Sequence, residues 1–476
     1  METLQYSKQV PVTKTGDVIV VGGGPTGIAA AIAAARNGAR TILVERYGFL
    51  GGTATAGLVG PFMTSYDDTG EVQIVRGIFD ELMRRLETVG GGIHPAKTSP
   101  GTAHSSYLSF GHKHVAPFSP EALKLVAAEM CLEAGVDLLF HSMFLDPIMD
   151  GNAVAGVIVA NKSGLQALKA KVTVDASGDA DVAFAAGAPT VKGRELDGKM
   201  QPVSLFFRIG NVEREKVEAY RREHPEDSRL FESIIEQARE RGEYPIPRQG
   251  ISPWLEPDGF TWRLNQTRIL GIDGTSVEDL TRAEIEGRRQ VAFLIDFFRK
   301  NLPGFENCVF IDTAPQVGIR ETRRIVGEYV LKLEDLQEGK VFADAVAFAA
   351  FPVDIHQVDG IGGTHLGYGP RGKFPIADMY SIPYHSLVPL QIDGLLVAGR
   401  TLSATHEAAA SARVMPFCFA TGEAAGVASA LAVKQGMQPR QVDGIAVRRA
   451  LANQGAYVGP LEALKAPVPL AKKAQS

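Results

Sequence analysis

The beginning of the chain alternates short apolar runs with a segment of small residues. Residues 17–21 are an apolar run that ends in glycines, which is typical of a buried parallel strand. Residues 27–37 are rich in Ala and Ile, without Pro or internal Gly, and predict a closely packed helix. Residues 40–44 predict a second strand, after Gly38 closes the helix. Together these patterns predict a βαβ unit.

The pattern is less regular further along the chain. Residues 48–117 are rich in Gly and His, and only 75–89 has the periodicity of a helix. Ser119, Pro120 and Glu121 supply the N-cap, the first position and the first-turn acid of another helix. Strands are predicted at residues 136–140, 153–160 and 166–175, with a hairpin turn at 150–152.

A change of composition after about Lys192 predicts an inserted domain. Residues 211–247 are heavily charged with a helical pattern, and 277–301 predict a second, amphipathic helix. An apolar strand at 394–398 and a small-residue helix at 417–434 then return to the first domain. The predicted division is a discontinuous first domain at 15–191 and 379–440, an inserted substrate or cap domain at 192–378, and a C-terminal extension at 441–476.

Composition and charge exclude several classes of function. The chain has 476 residues, too many for one ordinary core, with 45% hydrophobic and 22% charged residues, as in soluble globular proteins. A net charge of −5 offers no basic surface to nucleic acid or to an anionic membrane. The N-terminus is polar, and the apolar stretches are interrupted by Gly, Glu and Arg. We therefore predict a cytoplasmic protein without a membrane span.

The cysteines argue against a metal or disulfide protein. Cys131, Cys308 and Cys418 are scattered and form no CxxC pair. A disulfide framework, an iron–sulfur cluster or a zinc site in this chain would need closer or more numerous ligands. We predict three buried thiols and no metal site.

The first strand and helix enclose a glycine motif. Gly22, Gly24 and Gly27 match GxGxxG at the strand–helix turn. The first glycine allows the tight turn, the second lets the backbone approach a pyrophosphate, and the third lets the helix pack on the strand. Glu45 ends the second strand, where a carboxylate can accept hydrogen bonds from a ribose diol. The unit predicts a dinucleotide site for FAD or NAD and does not decide between them.

Three further segments extend this motif. Residues 45–53 run from the acid into a glycine pair, residues 174–181 are a strand that stops at a small-residue turn, and residues 394–400 precede a helix containing 420–426. Together they resemble the FAD-binding fold shared by the fumarate reductase and glutathione reductase flavoproteins. More specifically, the chain resembles the FAD-dependent oxidoreductase family marked by GFLGGTAT-like, GxRETRR and LLVAGR…RVMP segments. These marks lie here at residues 48–55, 318–324, 395–400 and 413–416.

The resemblance implies an α/β fold with a Rossmann-like FAD-binding domain and an inserted α+β cap domain. It also implies where the cofactor lies. The residues expected to contact FAD are Gly22, Gly24, Pro25, Thr26, Gly27, Glu45, Arg46, Gly52, Thr53, Ala176, Ser177, Gly178, Gly399, Arg400 and Gly422. The N-terminus of the helix that carries Gly422 is expected to face the flavin pyrimidine, where it would stabilise the negative charge of reduced flavin.

The attachment of the cofactor is also predicted. Fumarate reductases and succinate dehydrogenases often bind flavin covalently through a histidine soon after the first glycine-rich segment. Residues 51–57 contain no histidine. We therefore expect FAD to be bound non-covalently.

On the substrate side, the sequence excludes several flavoprotein classes. No second GxGxxG follows a strand and no CxxC is present, which argues against a pyridine-nucleotide disulfide reductase. The strings expected of aromatic hydroxylases and of flavin halogenases are also missing. Hydride transfer between a substrate C–H and flavin N5 remains, with a side chain to move the proton and a cation to hold an anionic or carbonyl group.

Candidate catalytic residues stand in loops of the second half of the chain. Arg323 belongs to a stretch with three guanidinium groups in residues 320–324, which either binds a substrate carboxylate or pairs with nearby acids. His356 lies in a glycine-rich loop, Tyr384 precedes the last predicted strand, and Arg413 resembles by position the substrate-facing arginine of fumarate reductase-like proteins. Each has an ordinary structural alternative.

The leading hypothesis is an FAD-dependent oxidoreductase that transfers a hydride between flavin N5 and a small polar organic substrate, carboxylated or not. The alternative is a flavin-bearing electron-transfer subunit, which would need a separate redox partner protein because the chain has no cluster ligands. A non-redox flavoprotein is a third hypothesis. All three are compatible with a homo-oligomer.

Overall fold

A computed structural model describes residues 2–108, 112–358, 360, 365–366 and 375–460. Within them the strands are β1 (Val12–Thr15), β2 (Val18–Val21), β3 (Thr41–Val44), β4 (Asp137–Leu139), β5 (Met143–Asp150), β6 (Ala153–Asn161), β7 (Gly164–Lys169), β8 (Val172–Asp175), β9 (Thr190–Lys192), β10 (Phe207–Gly210), β11 (Pro253–Leu255), β12 (Trp262–Leu264), β13 (Val309–Thr313), β14 (Arg323–Ile325), β15 (Ala345–Ala349), β16 (Asp354–Ile355), β17 (His365–Leu366), β18 (Tyr380–Pro383) and β19 (Leu395–Val397). The α-helices are α1 (Pro25–Arg36), α2 (Gly77–Thr88), α3 (Pro120–Glu133), α4 (Asp181–Ala185), α5 (Arg214–Glu223), α6 (Glu232–Glu240), α7 (Val277–Asn301), α8 (Leu333–Gln337), α9 (His406–Ala412), α10 (Met415–Gln435) and α11 (Gly444–Asn453).

A five-stranded parallel sheet forms the centre of the fold, with the strand order β19-β8-β2-β3-β4. Every residue of β2, β3 and β8 is buried, because one face of the sheet packs against helices that include α1 and α10, and the other face packs against strands β6 and β7. The βαβ unit predicted from residues 17–44 is confirmed. The sheet also joins the parts of the chain that precede and follow the inserted segment, since β19 pairs with β8.

Helices α1 and α10 pack against each other beside this sheet. Both are rich in Ala and Gly, and almost every residue of each is buried. A Cβ atom added to Gly426 would lie 2.2 Å from the carbonyl oxygen of Ala30, so the two backbones approach too closely for a larger side chain. The predicted small-residue helices are confirmed, and their composition follows from this close contact.

A second sheet, in the order β1-β7-β6-β5, lies beside the first. Its β5–β6 hairpin turns at Gly151, which has a φ of 60°, as the sequence predicts. The single strand predicted at 166–175 is wrong, because it divides into β7 and β8. The N–H groups of Ala170 and Lys171 bond to Ala155 and Asp17, and there the chain passes from one sheet to the other.

The inserted segment has its own apolar core. A four-stranded sheet in the order β11-β12-β10-β13 packs with α5, α6 and the long helix α7. Helix α7 begins and ends as predicted, and the Ser276 side chain caps it by accepting a hydrogen bond from the Asp279 N–H. The predicted charged helical stretch at 211–247 contains α5 and α6.

The core formed by the parallel sheet, α1 and α10 is called the first core. The buried apolar side chains between Leu331 and Val353 pack with it, together with Tyr380 and Ile382 of β18. The division of domains at residues 192 and 378 stays a prediction, as does the extension at 441–476, of which residues 461–476 lie outside the described residues.

Helix α10 is long and apolar enough to cross a membrane by length and composition alone, but 83% of its most apolar window is buried inside the protein.

Candidate cofactor and substrate site

A cavity of about 610 Å³ opens at the carboxyl ends of the central strands, between the parallel sheet and the inserted segment. This is where ligands of open α/β sheets bind, and the volume falls in the range of about 300–1,000 Å³ that is usual for ligand sites. One end of the cavity is lined by the turn between β2 and α1, and the other by Arg248, Arg320, Asp354, His356 and Arg413.

The turn between β2 and α1 contains two glycines, Gly22 and Gly27, that cannot be replaced without strain or collision. Gly22 has a φ of 100°, and an added Cβ would lie 2.4 Å from the carbonyl oxygen of Ala176. A Cβ on Gly27 would lie 1.7 Å from the carbonyl oxygen of Gly22. At Gly24 the nearest atom to an added Cβ is Cα of Gly52, at 3.7 Å, an ordinary van der Waals contact, so the protein itself leaves room for a methyl group at this position of the cavity wall.

Glu45 ends β3 at the wall of the cavity. One carboxylate oxygen accepts the Gly23 N–H at 2.7 Å and the other accepts the Tyr47 N–H at 2.9 Å. Burial raises the pKa of this carboxyl, and the two backbone hydrogen bonds oppose the rise. Each oxygen keeps a second lone pair, so the carboxylate retains the capacity to accept a hydroxyl group from a ligand.

At the opposite end of the cavity, two polar side chains contact Asp354. His356 Nε2 lies 3.4 Å from Asp354 Oδ2, and Arg413 Nη2 lies 3.5 Å from the same oxygen. Arg413 also donates to the Asp354 carbonyl oxygen at 2.9 Å and to Gln201 Oε1 at 3.4 Å. Within the described residues, Nδ1 of His356 is buried without a hydrogen-bond partner.

The charge states at this end follow from burial and from the surrounding arginines. Burial lowers the pKa of the His356 imidazole well below its usual range, and the charge of Arg320 lowers it further. His356 is therefore neutral at neutral pH. Burial opposes ionisation of Asp354, but contact with His356 and the charges of Arg413 and Arg320 outweigh it and hold the pKa of this carboxyl well below its usual range.

The comparisons with known proteins agree with this geometry. The sequence family described as FAD dependent oxidoreductase matches residues 17–451. The chain belongs to the FAD-dependent oxidoreductase family. FAD is therefore its cofactor, and the fold is the α/β, Rossmann-like fold of the FAD-binding flavoproteins, as predicted.

Individual relatives are more distant. The chain is 36% identical over 157 residues to thiamine thiazole synthase of Aeropyrum pernix, an alignment that covers 33% of this chain and 48% of that protein. The chain thus spans about half the length of this relative.

Two solved structures match over most of their length. A geranylgeranyl bacteriochlorophyll reductase-like protein of Thermoplasma acidophilum is 15% identical, with 93% of this chain and 84% of that one covered and a TM-score of 0.43. A p-nitrophenol 4-monooxygenase of Pseudomonas putida is 12% identical, with 94% and 87% covered and a TM-score of 0.46.

The residues of this oxidoreductase fit the diphosphate end of FAD. The N–H groups of a first helical turn have no partner within the helix, and those of Gly24 and Thr26 donate to no described residue. They lie at the positive end of the α1 dipole, where Gly24 lines the cavity. The predicted contact residues that line the cavity are Gly22, Gly24, Pro25, Thr26, Glu45, Arg46, Gly52, Thr53, Ala176, Ser177, Gly178 and Arg400.

Three predicted contact residues do not line the cavity, and each has a packing role. Gly27 lets α1 approach β2, as described above. A Cβ on Gly399 would lie 2.2 Å from Thr26 Oγ1, and a Cβ on Gly422 would lie 2.2 Å from the Thr26 carbonyl oxygen. Gly422 lies within α10, whose first residue, Met415, lines the cavity instead.

Arg323 and Arg400 are placed beside the turn that follows β8. Arg323 Nη1 donates to the Asp179 carbonyl oxygen at 3.1 Å and to Asp181 Oδ1 at 3.0 Å. Arg400 Nη2 donates to Asp179 Oδ1 at 2.8 Å. Burial raises the pKa of Asp181 to about 6, and the charge of Asp179 adds to the rise. Arg323 lines the cavity at this turn, and none of its hydrogen bonds is to Asp354 or His356.

Tyr384 is not brought to the cavity. Its side chain is buried in the first core, and its hydroxyl donates to the Pro439 carbonyl oxygen at 2.7 Å. Burial raises the pKa of this phenol far above its usual range. Because the hydroxyl lies outside the cavity and donates its proton to a buried carbonyl oxygen, it cannot exchange that proton with a substrate. The structure therefore supports the packing alternative for Tyr384.

The structure adds residues that the candidate set lacks. Arg320 was part of the guanidinium-rich stretch, but Arg248 stands in a loop where no pattern marks it. Asp354 lies two residues before His356 at the edge of a strand, and side chains at that spacing face the same side. That spacing could have identified Asp354. Among the described residues, no group of His, Cys, Asp and Glu is placed to hold a metal ion.

Proposed function

We propose that the chain transfers a hydride between a small polar organic substrate and N5 of a non-covalently bound FAD. One observation carries the proposal: a single cavity joins the glycine turn before α1 to the buried group of Asp354, His356 and Arg413. When bound, FAD supplies a hydride acceptor or donor at N5.

On the cofactor side, the chain's task is to hold and orient. The unpaired N–H groups of Gly24 and Thr26 would bind the diphosphate, and Glu45 would accept the ribose hydroxyls. Arg400 contacts Gly178 and Asp179 in the turn after β8 and links them to the Ile319 carbonyl oxygen, which keeps this turn at the cavity wall. These contacts position the cofactor and take no part in proton transfer.

On the substrate side, the chain's task is to orient the substrate and to move a proton. Oxidation of a C–OH or C–NH group releases a proton together with the hydride, and the neutral imidazole of His356 would accept it. Burial opposes protonation of this imidazole, and the adjacent Asp354 carboxylate, which raises its pKa, would stabilise the protonated form. Asp354 lies next to both His356 and Arg413 and fixes their relative position. Arg413 supplies the positive charge that would orient a carbonyl or anionic group.

The proposal is tested by anaerobic screening of metabolites for loss of the oxidised flavin band, which lies near ~450 nm for this cofactor. Arg413→Met is expected to slow reduction by an active metabolite about tenfold or more while FAD content stays unchanged. His356→Asn is expected to slow it by about 100-fold. Arg241→Met, on an exposed arginine paired with Glu243, is the matched control and should behave like the wild type.

Two outcomes would contradict the proposal. Loss of FAD from Arg413→Met would assign this arginine to the cofactor rather than to the substrate. A flavin that no metabolite reduces, but that exchanges electrons with a copurifying iron–sulfur protein, would replace hydride transfer with the electron-transfer hypothesis.

A further inference from the structure

Three arginines converge at the substrate end of the cavity. Arg248 lies before β11, Arg320 between β13 and β14, and Arg413 between α9 and α10, so distant parts of the chain supply them. Arg248 and Arg320 are each only 9% exposed. Burial of three like charges in one place is costly unless opposite charge compensates them.

Among the described residues, one carboxylate lies within 4.0 Å of these three guanidinium groups, and the charge of Glu321 acts on Arg413 from further away. Asp354 lies 3.5 Å from Arg413, and no carboxylate of the described ranges lies within 4.0 Å of a nitrogen of Arg248 or Arg320. Arg229 also lines the cavity and the charge of Arg268 acts on Arg248, so positive charge exceeds negative charge at this end, and His356 adds none because it is neutral. Burial and the nearby Arg268 lower the pKa of Arg248 to about 9, so it stays charged at neutral pH.

The hydrogen bonds of these arginines leave donors unused. Arg320 is held by the Pro202 carbonyl oxygen at 2.6 Å and by Ser204 Oγ at 3.0 Å. In Arg248, Nη2 donates to Asn265 Oδ1 at 2.9 Å, whereas Nη1 donates to no described residue. Nη1 of Arg413 is likewise unpaired towards the described part of the chain, and Nε of both residues is buried without a partner.

We infer that this end of the cavity binds a doubly charged oxyanion of the substrate, carried by a dicarboxylate or a phosphate monoester. Nη1 of Arg248 and of Arg413 would donate to its oxygens, while Arg320 contributes charge from a position fixed by the protein. A doubly charged anion would offset the excess positive charge that Asp354 leaves uncompensated. This inference rests on the proposed function, because it assigns a substrate class to the same site.

The inference is tested on the FAD-loaded protein without any knowledge of the substrate. Sodium malonate, inorganic phosphate, sodium acetate and sodium chloride are titrated at constant ionic strength, and the melting temperature and flavin absorbance are recorded. A ligand that binds only the folded state raises the melting temperature with its concentration. Malonate or phosphate is expected to do so with a dissociation constant about tenfold or more below that of acetate.

Variants locate the binding site. Arg248→Met is expected to weaken binding of the dianion about tenfold or more and to leave FAD content unchanged, since Arg248 belongs to the substrate end of the cavity. Arg248→Lys keeps the charge but moves the donors, so it should weaken binding less, and it serves as the test should the methionine variant not fold. Arg241→Met is again the control.

The outcomes separate this inference from the proposed function. Response to malonate alone assigns a dicarboxylate, and response to phosphate alone assigns a phosphate monoester. Equal responses to the dianions and to acetate, or unchanged binding in both Arg248 variants, would overturn the inference. If an uncharged metabolite reduces the flavin and no dianion binds, the proposed function is supported and the inference is wrong. If a dianion binds but no metabolite reduces the flavin, the anion site is supported and the proposed function is wrong.

Discussion

Gly24 and Gly27 stand three positions apart in one motif, but their surroundings give them different roles. Gly27 is enclosed by protein, since an added Cβ would overlap the Gly22 carbonyl oxygen. Gly24 has a φ of −76°, which any residue adopts, and the nearest atom to an added Cβ is 3.7 Å away. Gly27 is therefore required by the fold, whereas Gly24 leaves room at the cavity.

This difference predicts opposite results for two alanine substitutions. Gly24→Ala should change the free energy of unfolding of the apoprotein by about 1 kcal/mol or less but raise the FAD dissociation constant about tenfold, because its methyl group occupies the space beside the first turn of α1. Gly27→Ala should lower the free energy of unfolding by about 1–3 kcal/mol or more through overpacking. Urea unfolding and quenching of FAD fluorescence measure the two effects, and wild-type FAD affinity in Gly24→Ala would contradict the assignment.

At the scale of elements, α10 serves three neighbours at once. Its first residues line the cavity, Gly422 and Gly426 pack on α1, and Glu423 reaches the start of α2. Glu423 Oε2 accepts the Ile78 N–H at 3.1 Å and so satisfies a backbone donor that α2 leaves free. Burial raises the pKa of Glu423 from 4.5 to about 7.

The raised pKa of Glu423 predicts a pH dependence of stability. The unfolded chain releases this proton near pH 4.5 and the folded protein near pH 7, so the contribution is fully favourable below pH 4.5 and is lost as the pH rises through 7. The loss amounts to about 3 kcal/mol. Glu423→Gln keeps a hydrogen-bond acceptor but has no proton to release.

The measurement is urea unfolding at a series of pH values between about 4.5 and 8. The decline in stability over this range should be smaller by that amount in Glu423→Gln than in the wild type. Glu121→Gln, on an exposed first-turn acid of α3, is the control and should keep the wild-type slope. A wild-type slope in Glu423→Gln would show that the carboxyl is ionised in the folded protein at neutral pH.

At the scale of the whole molecule, the two ends of the chain build one sheet and the middle of the chain covers its carboxyl edge. The dinucleotide turn comes from the first strands, whereas the substrate end takes residues from the inserted segment, which includes β16, and from the residues just before α10. Segments that are distant in the chain would therefore enclose a flavin on several sides, and such a cavity could hold it without a covalent bond.

We therefore expect acid precipitation of the purified yellow protein to release the flavin. Residues 51–57 contain no histidine that could attach it, and residues 52–54 form a short 3-10 turn at the cavity wall. Absorbance of the supernatant near ~450 nm should account for the bound cofactor. Flavin that remains with the pellet would contradict non-covalent binding, and re-addition of FAD to washed apoprotein gives the matching positive control.

Sequence predictions held where a local pattern has a local cause. The βαβ unit, the capped helix α3, the long helix α7 and the β5–β6 hairpin follow from periodicity, caps and turn residues within a few positions. The strand at 166–175 failed because the exchange between two sheets at Ala170 and Lys171 depends on Asp17 and Ala155, which are distant in sequence. The alternation of apolar and polar residues over 168–174 continues across that break.

The sequence by itself determined the glycine turn, because a turn with positive φ and a close helix–strand contact leaves glycine as the residue that fits. The segments at 48–55, 318–324, 395–400 and 413–416 then indicated the family and, with it, the cofactor. Only the tertiary structure decided which polar side chains share the cavity. It removed Tyr384 to the core, placed Arg323 beside the turn after β8, and brought Arg248 and Asp354 to His356 and Arg413. The physical reason is that charge and hydrogen bonding act through space. The role of an arginine therefore depends on residues that are close in the fold but distant in the sequence.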